Sequence, residues 1–105
     1  MSEKALAVAV LHRALADLAD AMAGEAWPAC EAHKFLQGTG EWAASRAFWA
    51  AAAGLDGDAL KDAISTRLAR VHHGERQQVQ RELRAERPED AGQAVGRTRG
   101  QEVTP

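Results

Sequence analysis

With 105 residues the chain has room for one domain, and its net charge of −2 conceals a local excess of six Arg over three Glu at residues 67–87. Alanine supplies 24 of its 48 hydrophobic residues, whereas isoleucine occurs once and tyrosine not at all, which favours packed helices and excludes a sheet-rich fold. No run approaches the roughly 18 apolar residues of a membrane span. The single cysteine, Cys30, cannot form an internal disulfide. We therefore expect an all-α, cytoplasmic protein: a small bundle of four to five helices.

The first predicted helix covers residues 3–23, with Ser2 as N-cap and Gly24 as its C-terminal stop. Apolar residues recur along it at helical spacing and form one stripe: Val8, Leu11, Leu15, Leu18 and Met22. The stripe could pack into the core or form the seam of a homodimer. Because coiled coils usually need three or more heptads, we favour the core.

The second predicted helix runs from about residue 27 to 37, with Pro28 in its first turn, where a missing N–H costs little. Gly38-Thr39-Gly40 ends it, and a third helix is predicted at 45–53 with Ser45 or Thr39 as N-cap. All the aromatic residues fall in this part of the chain, and we interpret them as a wedge that holds an alanine-rich bundle together: Trp27, Phe35, Trp42, Phe48 and Trp49.

Gly54 ends the third helix, and Asp56 or Asp58 can cap a fourth at about 57–72. The buried stripe of this helix is predicted to be Leu60, Ile64, Leu68 and Val71. Residues 75–87 form either a separate polar helix or a frayed continuation. After residue 87 the only large apolar residues are Val95 and Val103, so we predict one helical domain at 1–87 and a disordered tail at 88–105.

The segment from Phe48 to Ile64 resembles a helix-turn-helix unit. Ala50 is small enough for a helix crossing, Gly54 suits a left-handed turn, and the remaining positions supply a core: Trp49, Ala53, Leu55, Leu60 and Ile64. The wider stretch from Phe35 to Leu68 contains Ser-Arg-x-Phe at 45–48 and Ala-Gly-Leu-Asp at 53–56, and it looks like small phage- or prophage-encoded helix-turn-helix proteins. That resemblance implies a role in transcription control, as a DNA-binding regulator, or in another step of a mobile element's programme.

Charge divides the chain into two candidate surfaces. The second helix of such a unit enters the major groove, but here its exposed surface would present Asp56, Gly57, Asp58, Lys61 and Asp62. A phosphate backbone repels these three carboxylates, which only one lysine accompanies. DNA affinity would then come from basic residues, most of them further along the chain: Lys61, Arg67, Arg70, Arg76, Arg81 and Arg84. The alternative is an interaction protein whose three aspartates and aromatic cluster bind a larger host complex, such as an RNA polymerase or a defence complex.

Catalytic and metal chemistry are poorly supported by the sequence. Cys30, His33 and the pair His72 and His73 could supply zinc ligands, but adjacent histidines on a helix point about 100° apart. Cys30 and His33 also lack an orienting polar residue and an oxyanion turn. We therefore predict a binding protein without cofactor rather than an enzyme.

Overall fold

The computed structural model describes residues 2–89, which form five α-helices and a single 3-10 turn, with no strand among them. The helices are α1 (Glu3–Ala21), α2 (Glu31–Gln37), α3 (Glu41–Ala52), α4 (Gly57–Val71) and α5 (Arg76–Ala85), and the 3-10 turn (Trp27–Ala29) precedes α2. The predicted small all-α bundle is confirmed. The tail predicted after residue 87 lies, from residue 90 onward, outside the described residues.

Helix α1 is the centre of the bundle. The Ser2 hydroxyl accepts the N–H of Ala5 at 3.0 Å, as expected of the predicted N-cap. The predicted stripe is buried at Leu11, Leu15, Leu18 and Met22, and half-buried at Val8. Helices α2, α3 and α5 of the same chain pack against α1. The stripe is therefore intramolecular core, and a homodimer seam at these residues would require the fold to open.

The segment before α2 differs from the prediction of one continuous helix. Cys30 is extended (φ −72°, ψ 157°) and separates the 3-10 turn from α2. Its Sγ accepts the N–H of His33 at 3.4 Å and so caps α2. Pro28 lies in the first turn of the 3-10 segment. The prediction of a helix from 27 to 37 was wrong because cysteine is not among the usual N-cap residues.

Helix α3 starts at Glu41, earlier than the predicted residue 45. Its N-cap is Gly40 with φ 61°, and no side chain bonds to the free N–H groups of the first turn. Neither Ser45 nor Thr39 is the N-cap. The prediction relied on a side-chain oxygen, whereas the chain enters this helix through a backbone conformation that favours glycine.

The connection between α3 and α4 agrees with the prediction. Gly54 has φ 79°, and the Asp56 carboxylate accepts the N–H of Asp58 at 3.0 Å. The fully buried residues on the two helices include Ala50, Leu60 and Ile64. Two helices joined by a tight left-handed turn thus pack on the common core.

Helices α3 and α4 approach each other closely at Gly57. A Cβ on Gly57 would stand 3.2 Å from Ala47 Cα and 3.7 Å from Ala50 Cβ. The sequence predicts Gly57 on the surface that the second helix of the unit presents. It belongs instead to the contact between the helices, where small residues on both sides let the backbones meet.

We expect Gly54→Val to destabilise the fold by about 1 kcal/mol or more. A Cβ at this position meets nothing closer than the Lys4 side chain at 3.8 Å, so the cost comes from the positive φ and not from crowding. Gly24→Val, at a glycine without positive φ, is the matched control. Thermal melts of both variants measure the difference, and an unchanged midpoint for Gly54→Val would contradict this account of the turn.

Helix α5 is a separate element, because Gly74 with φ 84° ends the preceding segment. Its Val79 and Leu83 are fully buried, and the helix packs against α1 and α4. The Gln80 side-chain amide donates to the Ala19 carbonyl at 2.7 Å. Pro88 is also buried, one residue beyond the predicted domain boundary. The polar α5 is thus anchored by two apolar residues and by polar bonds.

Candidate protein-binding surface

The outer face of α3 is apolar and exposed. It consists of Ala44, Ala47, Phe48 and Ala51, and Phe48 is 65% exposed. These positions follow the spacing i, i+3, i+4, i+7 and therefore share one side of the helix. We call these four residues the α3 face. The ring of Phe48 meets Trp49 edge-on at 5.3 Å, and Trp49 packs against the core.

The aromatic wedge predicted from the sequence is only partly present. Trp27 is buried, while Phe35 and Trp49 are half-buried and pack against the core. Trp42 is 37% exposed and Phe48 more so, and for these two the prediction was wrong. The inward side of α3 is filled by Arg46, Ala50 and neighbouring alanines, so these two rings are left to the surface.

The only basic residue of α3, Arg46, is 3% exposed. Its guanidinium donates to the carbonyls of Phe35 and Gly38, each at 3.0 Å, and so holds the end of α2. Burial lowers the pKa of Arg46, and the carboxylate of Asp58 partly offsets this. From the sequence, Arg46 enters only as part of the Ser-Arg-x-Phe motif and has no predicted role in the core, although it shares an i, i+4, i+7 stripe with Ala50 and Ala53. Because this cation points inward, the α3 face carries no positive charge.

The carboxylates predicted to bind protein lie at the start of α4. Asp56, Asp58 and Asp62 are all exposed, and Lys61 among them is half-buried. Gly57 lies against Ala47, which places the first turn of α4 beside the α3 face. Glu41, at the start of α3, is also exposed. The apolar face is thus bordered by negative charge.

Arg67 and Arg70, predicted to contact nucleic acid, are engaged by carboxylates of the C-terminal part. Arg70 binds Glu82 through two hydrogen bonds of 2.7 and 2.9 Å and also reaches Glu75 at 3.0 Å. Arg67 lies 3.0 Å from Glu86 and 3.6 Å from Glu82. The hydrogen bond from Arg70 lowers the pKa of Glu82, and the bonds to Glu82 and Glu75 raise the pKa of Arg70. These arginines join α4 to α5.

The other predicted arginines also have partners. Arg84 lies 3.0 Å from Asp20 of α1, and Arg76 lies 3.9 Å from Glu25. Arg81 donates to the side-chain oxygen of Gln78 at 2.8 Å. The pairs of Arg76 and Arg84 are exposed surface pairs, which hold a guanidinium group only weakly.

The residues weighed as zinc ligands do not form a centre. Within residues 2–89, no three His, Cys, Asp or Glu side chains are arranged to hold a metal ion. His33 packs edge-on against Trp27 at 5.5 Å, and burial lowers its pKa. Cys30 caps α2. Both residues therefore have structural contacts at the start of α2.

We expect the fold to lose stability as the pH falls from about 7.5 to 5.5. In the unfolded chain histidine titrates near pH 6.5, whereas His33 in the fold has a lower pKa, so the unfolded state gains protons first. Glu82, whose pKa is also lowered, contributes a separate loss only below about pH 5. Melts of His33→Gln should show a smaller pH dependence in this window.

Exposed His12 provides the control, and His12→Gln should keep the pH dependence of the wild-type protein. An equal reduction in both variants would show that the effect does not arise at His33.

No family model, curated protein or solved structure matches this chain. The resemblance to phage-encoded regulators therefore stays a prediction. None of the described helices is both long enough and apolar enough to cross a membrane.

Proposed function

We propose that this chain is a small interaction protein that binds a larger protein complex through the α3 face and the acidic start of α4. The observation that carries the proposal is Phe48, which is 65% exposed in the middle of a face otherwise built of alanine. Large aromatic residues supply much of the energy of protein interfaces, and a clustered exposed apolar face marks a site of association.

The charges around this face favour a basic protein surface as the target. Glu41, Asp58 and Asp62 are exposed, whereas the guanidinium of Arg46 is buried. Complementary charge steers association and selects partners. The same carboxylates oppose binding to a phosphate backbone.

The DNA-binding regulator predicted from the sequence is the competing hypothesis. It rests on the α3–α4 connection at Gly54 and on the arginines of α4 and α5. Arg67 and Arg70, the two nearest to the presumed recognition surface, hold glutamates of the same chain. Duplex binding would have to displace these carboxylates, so we place protein binding first.

Affinity capture from a lysate of the source organism tests the proposal when it compares variants. Phe48→Ala removes the exposed ring without opening the core, and we expect the captured complex to decrease about tenfold or more. Leu6→Ala, which trims another large exposed side chain (49%) on α1, is the matched control and should capture as the wild type does. Asp58→Asn with Asp62→Asn should weaken capture and reduce its dependence on salt.

Fluorescence anisotropy with duplex DNA provides the opposing test. We expect no saturable binding at low salt. A saturable affinity that falls steeply with salt and is lost in Arg67→Ala with Arg70→Ala would favour the regulator, as would capture that Phe48→Ala leaves unchanged.

A further inference from the structure

We infer that the element bound by the α3 face is a cationic, amphipathic α-helix of the partner protein. The inference rests on the proposed function and specifies the chemistry of its partner. It is carried by the shape of the α3 face together with the charges that border it.

The shape of the face suits a helix. Residues at i, i+3, i+4 and i+7 surround the recess into which a side chain of a facing helix packs, and Ala44, Ala47, Phe48 and Ala51 occupy these positions. Three of them are alanine, so a second helix can approach closely, while Phe48 projects between its side chains. Residues 2–89 contain no strand whose edge could pair with an extended peptide.

The charges select the partner. Glu41 lies on α3 one turn before Ala44, and the turn of α4 that carries Asp58 lies beside Ala47, because Gly57 approaches Ala47 so closely. Asp62 follows Asp58 by one helical turn. A helix along the α3 face therefore meets Glu41 at one end and passes beside the first turn of α4 with Asp58, and Lys or Arg on that helix would complement these carboxylates.

A second copy of this chain is a poor occupant for the same reason. If two α3 faces met, the carboxylates at Glu41, Asp58 and Asp62 of one copy would approach those of the other. Like charges across an interface disfavour association. The experiment must therefore distinguish binding to a partner helix from self-association of this chain.

Site-directed photocrosslinking tests the inference. The photoreactive amino acid p-benzoylphenylalanine replaces Ala51 in the full chain, and replaces Ala69, an exposed alanine on α4, in the control. Both proteins are irradiated in a lysate of the source organism, and the crosslinked peptides are sequenced by mass spectrometry. We expect position 51 to label a segment rich in Lys and Arg whose apolar residues recur at helical spacing.

The labelled segment is then synthesised and titrated against the full chain. We expect saturable binding, and a proline in the middle of the peptide should weaken it about tenfold or more, because proline breaks the helix. Labelling of an acidic or extended segment, or of a second copy of this chain, would overturn the inference. Labelling at position 51 no greater than at position 69 would instead overturn the proposed function, so the two failures are distinguishable.

Discussion

Replacing Arg46 by alanine should lower the free energy of unfolding by about 2–4 kcal/mol. The guanidinium is buried and donates to two carbonyls at the end of α2, those of Phe35 and Gly38. Its removal leaves both oxygens without this donor inside the bundle and also removes the packing of the aliphatic stem. Thermal or denaturant unfolding measures the loss, which corresponds to roughly 10–20 °C in a domain of this size.

Arg13→Ala is the matched control for this substitution. Arg13 pairs with Asp17 at 2.9 Å, but both side chains are largely exposed, and such surface pairs add little to stability. An equal midpoint for the two variants would show that Arg46 does not hold α2 in place. Arg46→Lys should fall between the wild type and Arg46→Ala, since a single ammonium cannot reproduce the planar guanidinium fork.

Gly38→Ala should destabilise the fold by about 2–3 kcal/mol. A Cβ at this position would press on the carbonyl oxygen of Lys34 and lie 2.8 Å from Trp42 Cβ. The backbone of Gly38 (φ −72°, ψ 168°) is open to any residue, so the cost is steric and not conformational. The neighbouring atoms are backbone or near-backbone, and α2 and α3 would have to move apart.

Gly24→Ala separates this effect from the general consequences of replacing glycine. The Cβ there would have ordinary contact, 3.8 Å from the nearest atom, and φ is not positive. Alanine restricts the unfolded chain more than glycine does, so Gly24→Ala should leave the stability of the fold unchanged or raise it slightly. Chemical denaturation of both variants makes the comparison, and a Gly38→Ala protein as stable as Gly24→Ala would mean that α2 and α3 are not packed this closely.

The sequence predicts those parts of the fold that depend on local chemistry. Helical spacing identified the buried stripes of α1 and α4. The oxygen cap at Ser2 was correct, and Asp56 is one of the two caps predicted for α4, because such bonds reach only a few residues along the chain. The errors arose where a helix begins without a side-chain oxygen as its N-cap. Cys30 caps through sulfur, and Gly40 does so through a positive φ, neither of which a search for side-chain oxygens detects.

The candidate site was harder to predict because its character depends on distant contacts. From the sequence, Arg70 is expected on an exposed helix face, yet it pairs with Glu82 because α5 packs back on α4. Phe48 has a large apolar side chain of the kind that usually lies in a core, but the orientation of α3 turns it outward. Local spacing defines the faces of a helix, whereas the packing of the other helices decides which face is buried.

Calorimetric titration of the purified partner, once captured, tests the central claim most directly. If the α3 face is the binding surface, Phe48→Ala should raise the dissociation constant about tenfold or more. Leu6→Ala should stay within about twofold of the wild type, since Leu6 lies outside that face. Equal affinities of the wild type and Phe48→Ala would contradict the account, as would an equal loss of affinity in the two variants.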